Sequence, residues 1–475
     1  MTEMNPPQES PNSASIGYAL FISAVAAMGG LLFGYDWVVI SGAKPFFVPH
    51  FHLTNPDTIG WAMSCALIGA LAGALVTGWL TDKFGRKRLL AVAAVLFGIS
   101  SILTGWAASF AAFAFWRVIG GVAIGMASNL SPLYIAEVSP GRWRGRLVAL
   151  NQLTIVIGIL LADVINWKIA RPVPAHAAAA AIAASWDGRL AWRWMFTAVA
   201  APSTLFLLGV FFIPESPRWL MKQGRDSQAG RILSRIGGAD HAENELVAIR
   251  RTLAGEAAGR VRLADLFDSR VLKIVGIGLV LAVFQQWCGI NVIFSYAPDI
   301  FHAAGYHVNS LLFEIVIIGA VNLLFTLAAM VLVDRLGRRP LMLIGAAGLI
   351  LTHSLLALAY HGHVQGLPVV ILVMAAIACY AMTLAPVTWV LISEIFPNRI
   401  RGTALSIAVS ALWIADFILT QTFPALKSAI GVGGAFWLYA IVCTGGFLFI
   451  LRTVPETRGK SLEELEQILV KSPVG

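Results

Sequence analysis

Three amides lie close together near the middle of the chain, in the stretch Gln285-Gln286-Trp287-Cys288-Gly289-Ile290-Asn291. The run around them is apolar and carries no charge between Lys273 and Asp299. Roughly 20 apolar residues suffice to cross a bilayer, so Gln285, Gln286 and Asn291 are expected inside a membrane span. A buried amide needs partners there. Lining a wet cavity, the three can donate to and accept from a neutral polyhydroxyl solute. The alternative is a polar seam that glues helices together, and the stretch alone does not separate the two readings. Gly289 permits a kink or a close backbone approach, and Pro298 weakens the helix near its outer end. The second candidate is Asp36, which follows Phe33-Gly34-Tyr35 in the first apolar run. A carboxyl about two-thirds of the way through the bilayer is costly and reads as functional by default. It can carry a proton if its surroundings alternate between favouring the acid and the carboxylate. Arg117 is the one base well inside a span, and a static ion pair between helices is the plainer account of such charges.

The elements that must position these groups follow from composition. Of 475 residues, 58% are hydrophobic and only 12% charged, far from the balance of a soluble domain. Twelve spans are expected, at 16–40, 58–80, 87–107, 111–136, 147–168, 192–214, 271–298, 308–333, 339–360, 366–393, 402–424 and 432–453. The fold class is therefore an all-α polytopic membrane protein with twelve transmembrane helices. With the N-terminus inside, 27 of the 34 Lys and Arg fall on the cytoplasmic side. Lys44, Lys168, Arg171, Arg189, Arg193 and Lys427 fall outside, and both termini are expected to be cytoplasmic. This distribution assigns the net charge of +9 to membrane topology, not to nucleic acid. Residues 1–15 are polar, lack Lys and Arg, and read as a cytoplasmic tail with no cleavable signal. Cys65, Cys288, Cys379 and Cys443 all lie in apolar segments and read as small buried hydrophobes; no metal or cofactor is expected.

The chain repeats itself. Asp82-Lys83-Phe84-Gly85-Arg86 follows the second span and Asp334-Arg335-Leu336-Gly337-Arg338 the eighth, 252 positions later. Glu137 with Arg144 follows the fourth span, and Glu394 with Arg401 follows the tenth. Pro214-Glu215-Ser216-Pro217-Arg218 closes the sixth and Pro455-Glu456-Thr457-Arg458 the twelfth. Three matched pairs imply duplicated, pseudo-symmetric halves, a six-helix bundle at 16–214 and another at 271–454. Between them, 215–270 is a basic cytoplasmic linker with helical periodicity at 227–236 and 243–253, and 455–475 is a second tail. Ala175–Ala184 reads as an outer loop or short helix. Acids and arginines at these loop positions are expected to form a charge network that latches the bundles together and parts when they rock.

Both Asp-Gly-Arg loops, the Pro-Glu-Ser-Pro-Arg and Pro-Glu-Thr-Arg-Gly segments, and Gln285 to Asn291 resemble the sugar porter family of the major facilitator superfamily. The likeness runs from about Gly29 to Leu465 and is greatest for the branch of the bacterial xylose–proton symporters. It implies a monosaccharide imported with a proton by alternating access, in the plasma membrane (the inner membrane in a bacterium), by a protein functional as a monomer. It also implies sugar contacts at Gln152, Gln285, Gln286, Asn291 and Asn322, with aromatic faces from Trp389 and Trp413 and a gate ring at Phe33. Amides read hydroxyl patterns, and indoles cover the C–H face of a sugar while donating one hydrogen bond. Asp36 and Arg117 match the proton-coupling pair of the symporters.

Several positions depart from the family. Ser295 replaces the first of two tyrosines, which leaves outer-gate closure open. Leu412 lacks the amide expected before Trp413, and Ala385 replaces a glycine before Pro386. Asp163, Glu314 and Asp416 are acids where neutral residues are expected; Asp163 and Glu314 read as wet, near the outer surface. Asp416, one turn beyond Trp413, reads equally as a second proton site, a hydroxyl acceptor or a solvated wall. A proton-independent sugar facilitator is the main functional alternative. A sugar sensor is disfavoured by the short tail after Lys460, and drug efflux by amides and Trp in place of a broad apolar cavity. An enzyme is disfavoured because no metal-spaced His cluster, nucleophile elbow or phosphate-cradling loop is present, His361 and His363 reading as solvated in an outer loop.

Overall fold

The computed structural model describes residues 13–171, 179–258, 269–396 and 400–458. The first span is a single helix, Ser13–His50, ten residues longer at its far end than expected despite Pro45 and Pro49. Pro56–Phe84 follows, started by Asn55, whose side chain accepts from the Asp57 amide at 2.8 Å. Then come Arg86–Gly105, Phe110–Val138 and Arg144–Ile169. The sixth span is built in pieces: a π-turn at Asp187–Ala191, then Trp192–Thr197 and Ala200–Phe212.

The second half mirrors the first but breaks more helices. Its seventh span runs Ser269–Trp287, Ile290–Ser295 and Ala297–Ala303. Gly289 makes the first break with φ of 88°, a conformation that costs other residues. Val308–Leu336 and Arg338–His361 are the eighth and ninth. The tenth is interrupted at Thr383 between Leu367–Met382 and Leu384–Ile395, so a break persists with alanine at 385. The last two spans form one assignment, Arg401–Thr453, kinked at Gly431, where φ of 72° and ψ of 173° leave the helical region. Splitting it there yields the twelfth span. Helices at Pro217–Lys222, Asp226–Gly237 and Ala239–Ala258 join the halves, and Ala179–Ala184 is a short helix before the sixth span. Their side defines a linker face; the opposite side is the far face.

Small residues set how closely the helices pack, because apolar surface in lipid has no hydrophobic force to gather it. A Cβ at Gly121 would stand 1.9 Å from the Ala66 carbonyl oxygen, and one at Gly69 2.0 Å from that of Val118, so the second and fourth spans touch backbone to backbone. Gly34 and Gly158 do the same for the first and fifth, with 1.9 Å to the Ile155 oxygen and 2.0 Å to the Leu31 oxygen. Between the halves, the second span packs on the eleventh and the fifth on the eighth.

Candidate functional site: a central amide chain and a sealed ion pair

The three amides of the seventh span join in a directed chain. Gln285 Nε2 donates to the Ala385 carbonyl at 3.3 Å, and Gln286 Nε2 donates to Gln285 Oε1 at 3.2 Å. Asn291 Nδ2 donates to Gln286 Oε1 and, at 3.0 Å, to Asp416 Oδ1. Thr420 Oγ1 reaches the same carboxylate oxygen at 3.5 Å. Asp416, whose role the sequence left open, is thus the acceptor at the chain's end, and it orients the Asn291 amide. Asp416 is 2% exposed, so the solvated-wall reading does not hold in this conformation.

The helix break makes the chain possible. Gly289 lies between Gln286 and Asn291 and turns the backbone so that these side chains meet. The Cys288 carbonyl next to the break takes a bond from the buried His353 ring nitrogen Nε2 at 2.8 Å. Sequence reading missed His353, a lone histidine in an apolar span whose partner is 65 residues away. Trp287 Nε1 pins the seventh span to the Ala415 carbonyl of the eleventh at 3.0 Å.

Phe33 and Trp413 meet across the two halves, ring centroids 5.9 Å apart. The Trp413 Nε1–H is buried without a partner, an orphan donor beside the amides. Trp389 is half-buried, one turn beyond the Ala385 carbonyl. Asn322 is buried and Gln152 half-buried, on the eighth and fifth spans that pack together. Neither has a hydrogen bond to the amide chain among the described residues.

Asp36 and Arg117 form a sealed pair. Arg117 Nη1 donates to both Asp36 carboxylate oxygens at 3.0 Å, and the guanidinium also donates to the Asp36 carbonyl at 3.3 and 3.4 Å. The residues are 2% and 3% exposed, and the guanidinium lies 5.4 Å from the Phe196 ring centre. Phe33 precedes Asp36 by three residues, so the gate ring and the carboxyl share one turn of helix.

The far face is closed. Above Phe33, Trp37 meets Phe294 at 5.7 Å, and Lys44 pairs with Asp299, which also takes Lys427 at 2.6 Å. Tyr296 donates to the Thr420 carbonyl at 2.7 Å, and its ring lies tilted against Phe423, centroids 4.7 Å apart. Closure therefore does not depend on a tyrosine at 295. Asp163 is a correction: it is not wet but 2% exposed, with neither oxygen partnered. Packing of the eighth span over the fifth covers it. Glu314 is half-buried in the far-face part of the eighth span.

At the linker face the duplicated loops fold identically. Gly85 and Gly337 take φ of 85° and 91°, and a glutamate caps the helix that follows each. Glu215 Oε1 accepts from the Arg86 and Lys87 amides at 2.8 and 3.1 Å, and Glu456 accepts from Arg338 and Arg339 at 3.1 Å. Partial burial opposes charge on Glu456, but these amides with those of Arg458 and Thr457 outweigh it and hold the carboxyl below its usual range. Arg86 clasps Glu137 at 2.8 Å and Arg338 clasps Glu394 at 3.1 Å, while Ser216 and Thr457 donate to those glutamates at 2.5 Å. Asp82 lies 4.0 Å from Arg86 and 2.9 Å from Lys222, and Arg144 reaches Glu245 of the linker at 3.7 Å. Arg401 donates to the Phe396 carbonyl, Arg218 starts the linker helices, and the Asp334 side chain lies outside the described residues. With the far face shut, Arg86–Glu137 and Arg338–Glu394 run within their halves, while Lys222 and Glu245 bring the linker into the network. Arg86 and Arg338 each meet the glutamate of the span packed beside theirs in the same bundle.

Comparison with known proteins places the chain. The model of the Sugar (and other) transporter family matches residues 22–469. The chain belongs to the sugar transporter family. It is 37% identical to the D-xylose-proton symporter of Escherichia coli, over 95% of this chain and 96% of that one. A glucose transport protein of Synechocystis is 40% identical, over 97% and 100%. The inward-open conformation of the E. coli xylose transporter superposes with a TM-score of 0.83 at 36% identity, covering 95% of this chain and all of that one. This sugar transporter has the major facilitator fold, two six-helix bundles, and works as a membrane carrier, not as an enzyme.

Proposed function

We propose that this sugar transporter imports a monosaccharide with a proton, and that its linker face and both termini are cytoplasmic. The observation that carries the coupling is the sealed Asp36–Arg117 pair one helical turn from the Phe33–Trp413 contact. A proton and Arg117 compete for the same two oxygens, so uptake of one displaces the other. Pairing with Arg117 while the far face is shut fits a state that has given up its proton inward. Gln285, Gln286 and Asn291, with Gln152 and Asn322, supply donors and acceptors for hydroxyls, and Trp389 and Trp413 supply faces. Asp416 sets the direction of the amide chain, and the orphan Trp413 N–H is a donor awaiting a ligand oxygen. Rocking of the two bundles about this site alternates its access.

Uptake of labelled pentoses and hexoses into vesicles, with and without a proton gradient, tests the reading. Accumulation above equilibrium only with the gradient is expected; gradient-independent equilibration would make the protein a facilitator. Gln286→Ala and Asn291→Ala are each expected to weaken affinity for the transported sugar about fivefold, since a lost neutral hydrogen bond costs about 1 kcal/mol, and Trp389→Ala, which removes an aromatic face, should weaken it as well. Unaltered affinity in all three variants would place the sugar elsewhere.

Sidedness has a separate check. Asp240 is exposed in the linker, and the four native cysteines are buried or half-buried. Asp240→Cys should react with an impermeant thiol reagent only after cells are permeabilised, as the basic loops require. Reaction in intact cells would invert the topology.

A further inference from the structure

Asp163 has no role in the coupling or sugar chemistry above, yet its setting is unusual. Both carboxyl oxygens are buried without a hydrogen-bond partner. The fifth span ends at Ile169, six residues on and about 9 Å away along the helix, so the group lies inside the bilayer on the far-face side. The eighth span, from the other half, covers it: a Cβ at Gly319 would stand 2.7 Å from Asp163 Oδ2. From the first span Tyr35 faces it, its hydroxyl also unpartnered, while the neighbouring Asp36 is held by Arg117 of the fourth span. On the eighth span the nearest acid in sequence is half-buried Glu314, five residues before Gly319. In the sixth, Arg193 is engaged by the Gly105 and Ala107 carbonyls. No cation pairs with Asp163 among the described residues. An ionised carboxylate in this enclosure would lose its hydration and gain neither counter-ion nor hydrogen bond, so the packing accepts only the neutral acid.

The enclosure belongs to the far-face-shut conformation. Opening that face separates the outer parts of the fifth and eighth spans, which belong to different bundles, and exposes the carboxyl to outside water. We propose that Asp163 is a second proton-binding site, loaded from outside, whose protonation is required for the fifth span to seat against Gly319 and close the far face. This rests on the reading that the far face is the outer one. Because the group is sealed when that face is shut, its proton returns outward on reopening and is not delivered to the cytoplasm. Asp163 therefore sets the rate at which the carrier turns over, while Asp36 sets the proton stoichiometry.

The test is sugar exchange in proteoliposomes with internal pH fixed and external pH varied, using labelled xylose and glucose as probes. An Asp36→Asn background removes the coupling carboxyl. Exchange there should fall towards alkaline external pH, approaching tenfold per pH unit for one titrating group. Asp36→Asn/Asp163→Asn should give a flat profile at the acid-side rate. A dependence that survives in the double variant, or a flat profile already in Asp36→Asn, overturns the proposal. Dependence on internal pH alone overturns outside loading, and labelling at residue 240 shows separately whether the topology is at fault. Should the double variant fail to fold, spin labels at Lys168→Cys and Ser310→Cys, both exposed near the far-face ends of the fifth and eighth spans, report closure in the Asp36→Asn protein itself. Their separation should lengthen from acid to alkaline pH; a constant distance overturns the proposal.

Discussion

Asp36→Asn should abolish gradient-driven accumulation of sugar while leaving sugar binding and exchange in place. Asn has the shape of Asp but cannot exchange a proton, so the cycle loses its cargo ion and keeps its geometry. Each pH unit of gradient supports about tenfold accumulation per coupled proton, and that whole factor should vanish. Exchange should persist because the amide chain belongs to the seventh, tenth and eleventh spans, and Asp36 makes no hydrogen bond to it among the described residues. The variant leaves Arg117 buried beside a neutral amide, and stranding a buried charge costs about 3–5 kcal/mol. Exchange measured on the same preparation therefore serves as the folding control. A variant that still concentrates sugar would remove Asp36 from coupling, and Asp416 would be the next carboxyl to examine.

The second large effect concerns the far-face clasp. Asp299 lies between Lys44 of the first span and Lys427 of the eleventh, so one carboxylate holds a cation from each half. Lys44 is 8% exposed, and its ammonium sits 4.5 Å from the Tyr296 ring centre. Asp299→Asn would leave both cations without a counter-ion when the face is shut, and with hydration when it is open. The expected result is a tenfold or greater shift towards the far-face-open state, about 1.4 kcal/mol or more, because the inner pair is poorly screened. Spin-label distances between residues 168 and 310 would register it as a lengthened population. An unchanged distribution would mean that Trp37–Phe294 and the Tyr296 contacts alone hold the gate.

Much of the architecture was legible in the residues because its signals are local. Apolar runs of span length, the one-sided excess of Lys and Arg, and the paired Asp-Gly-Arg and Pro-Glu loops need no knowledge of packing. Gly85 and Gly337 recur because the same turn needs the same conformation twice, and Glu215 and Glu456 recur because each turn opens a helix whose amides need an acceptor. The amide cluster was legible as chemistry, since three such groups are costly in lipid. Whether they glue helices or face a cavity was not, and the order of the chain ending at Asp416 came from the fold alone.

What tertiary structure decided is which face of each span turns inward. Helices in a membrane are apolar nearly all round, so no periodic stripe marks the buried side as it does in a soluble helix. Asp163 looked wet from its place near a span end, but the eighth helix lies across it. His353 looked like an isolated side chain, but it satisfies the carbonyl at the Gly289 break. Lys44 and Asp299 are 255 residues apart, and Arg86 and Arg338 each take a glutamate of their own bundle. Residue types and spacing determined the family, the spans and the candidate chemistry; helix rotation and close glycine contacts decided the partners, because a pairing between distant spans is a property of packing that neither span carries by itself.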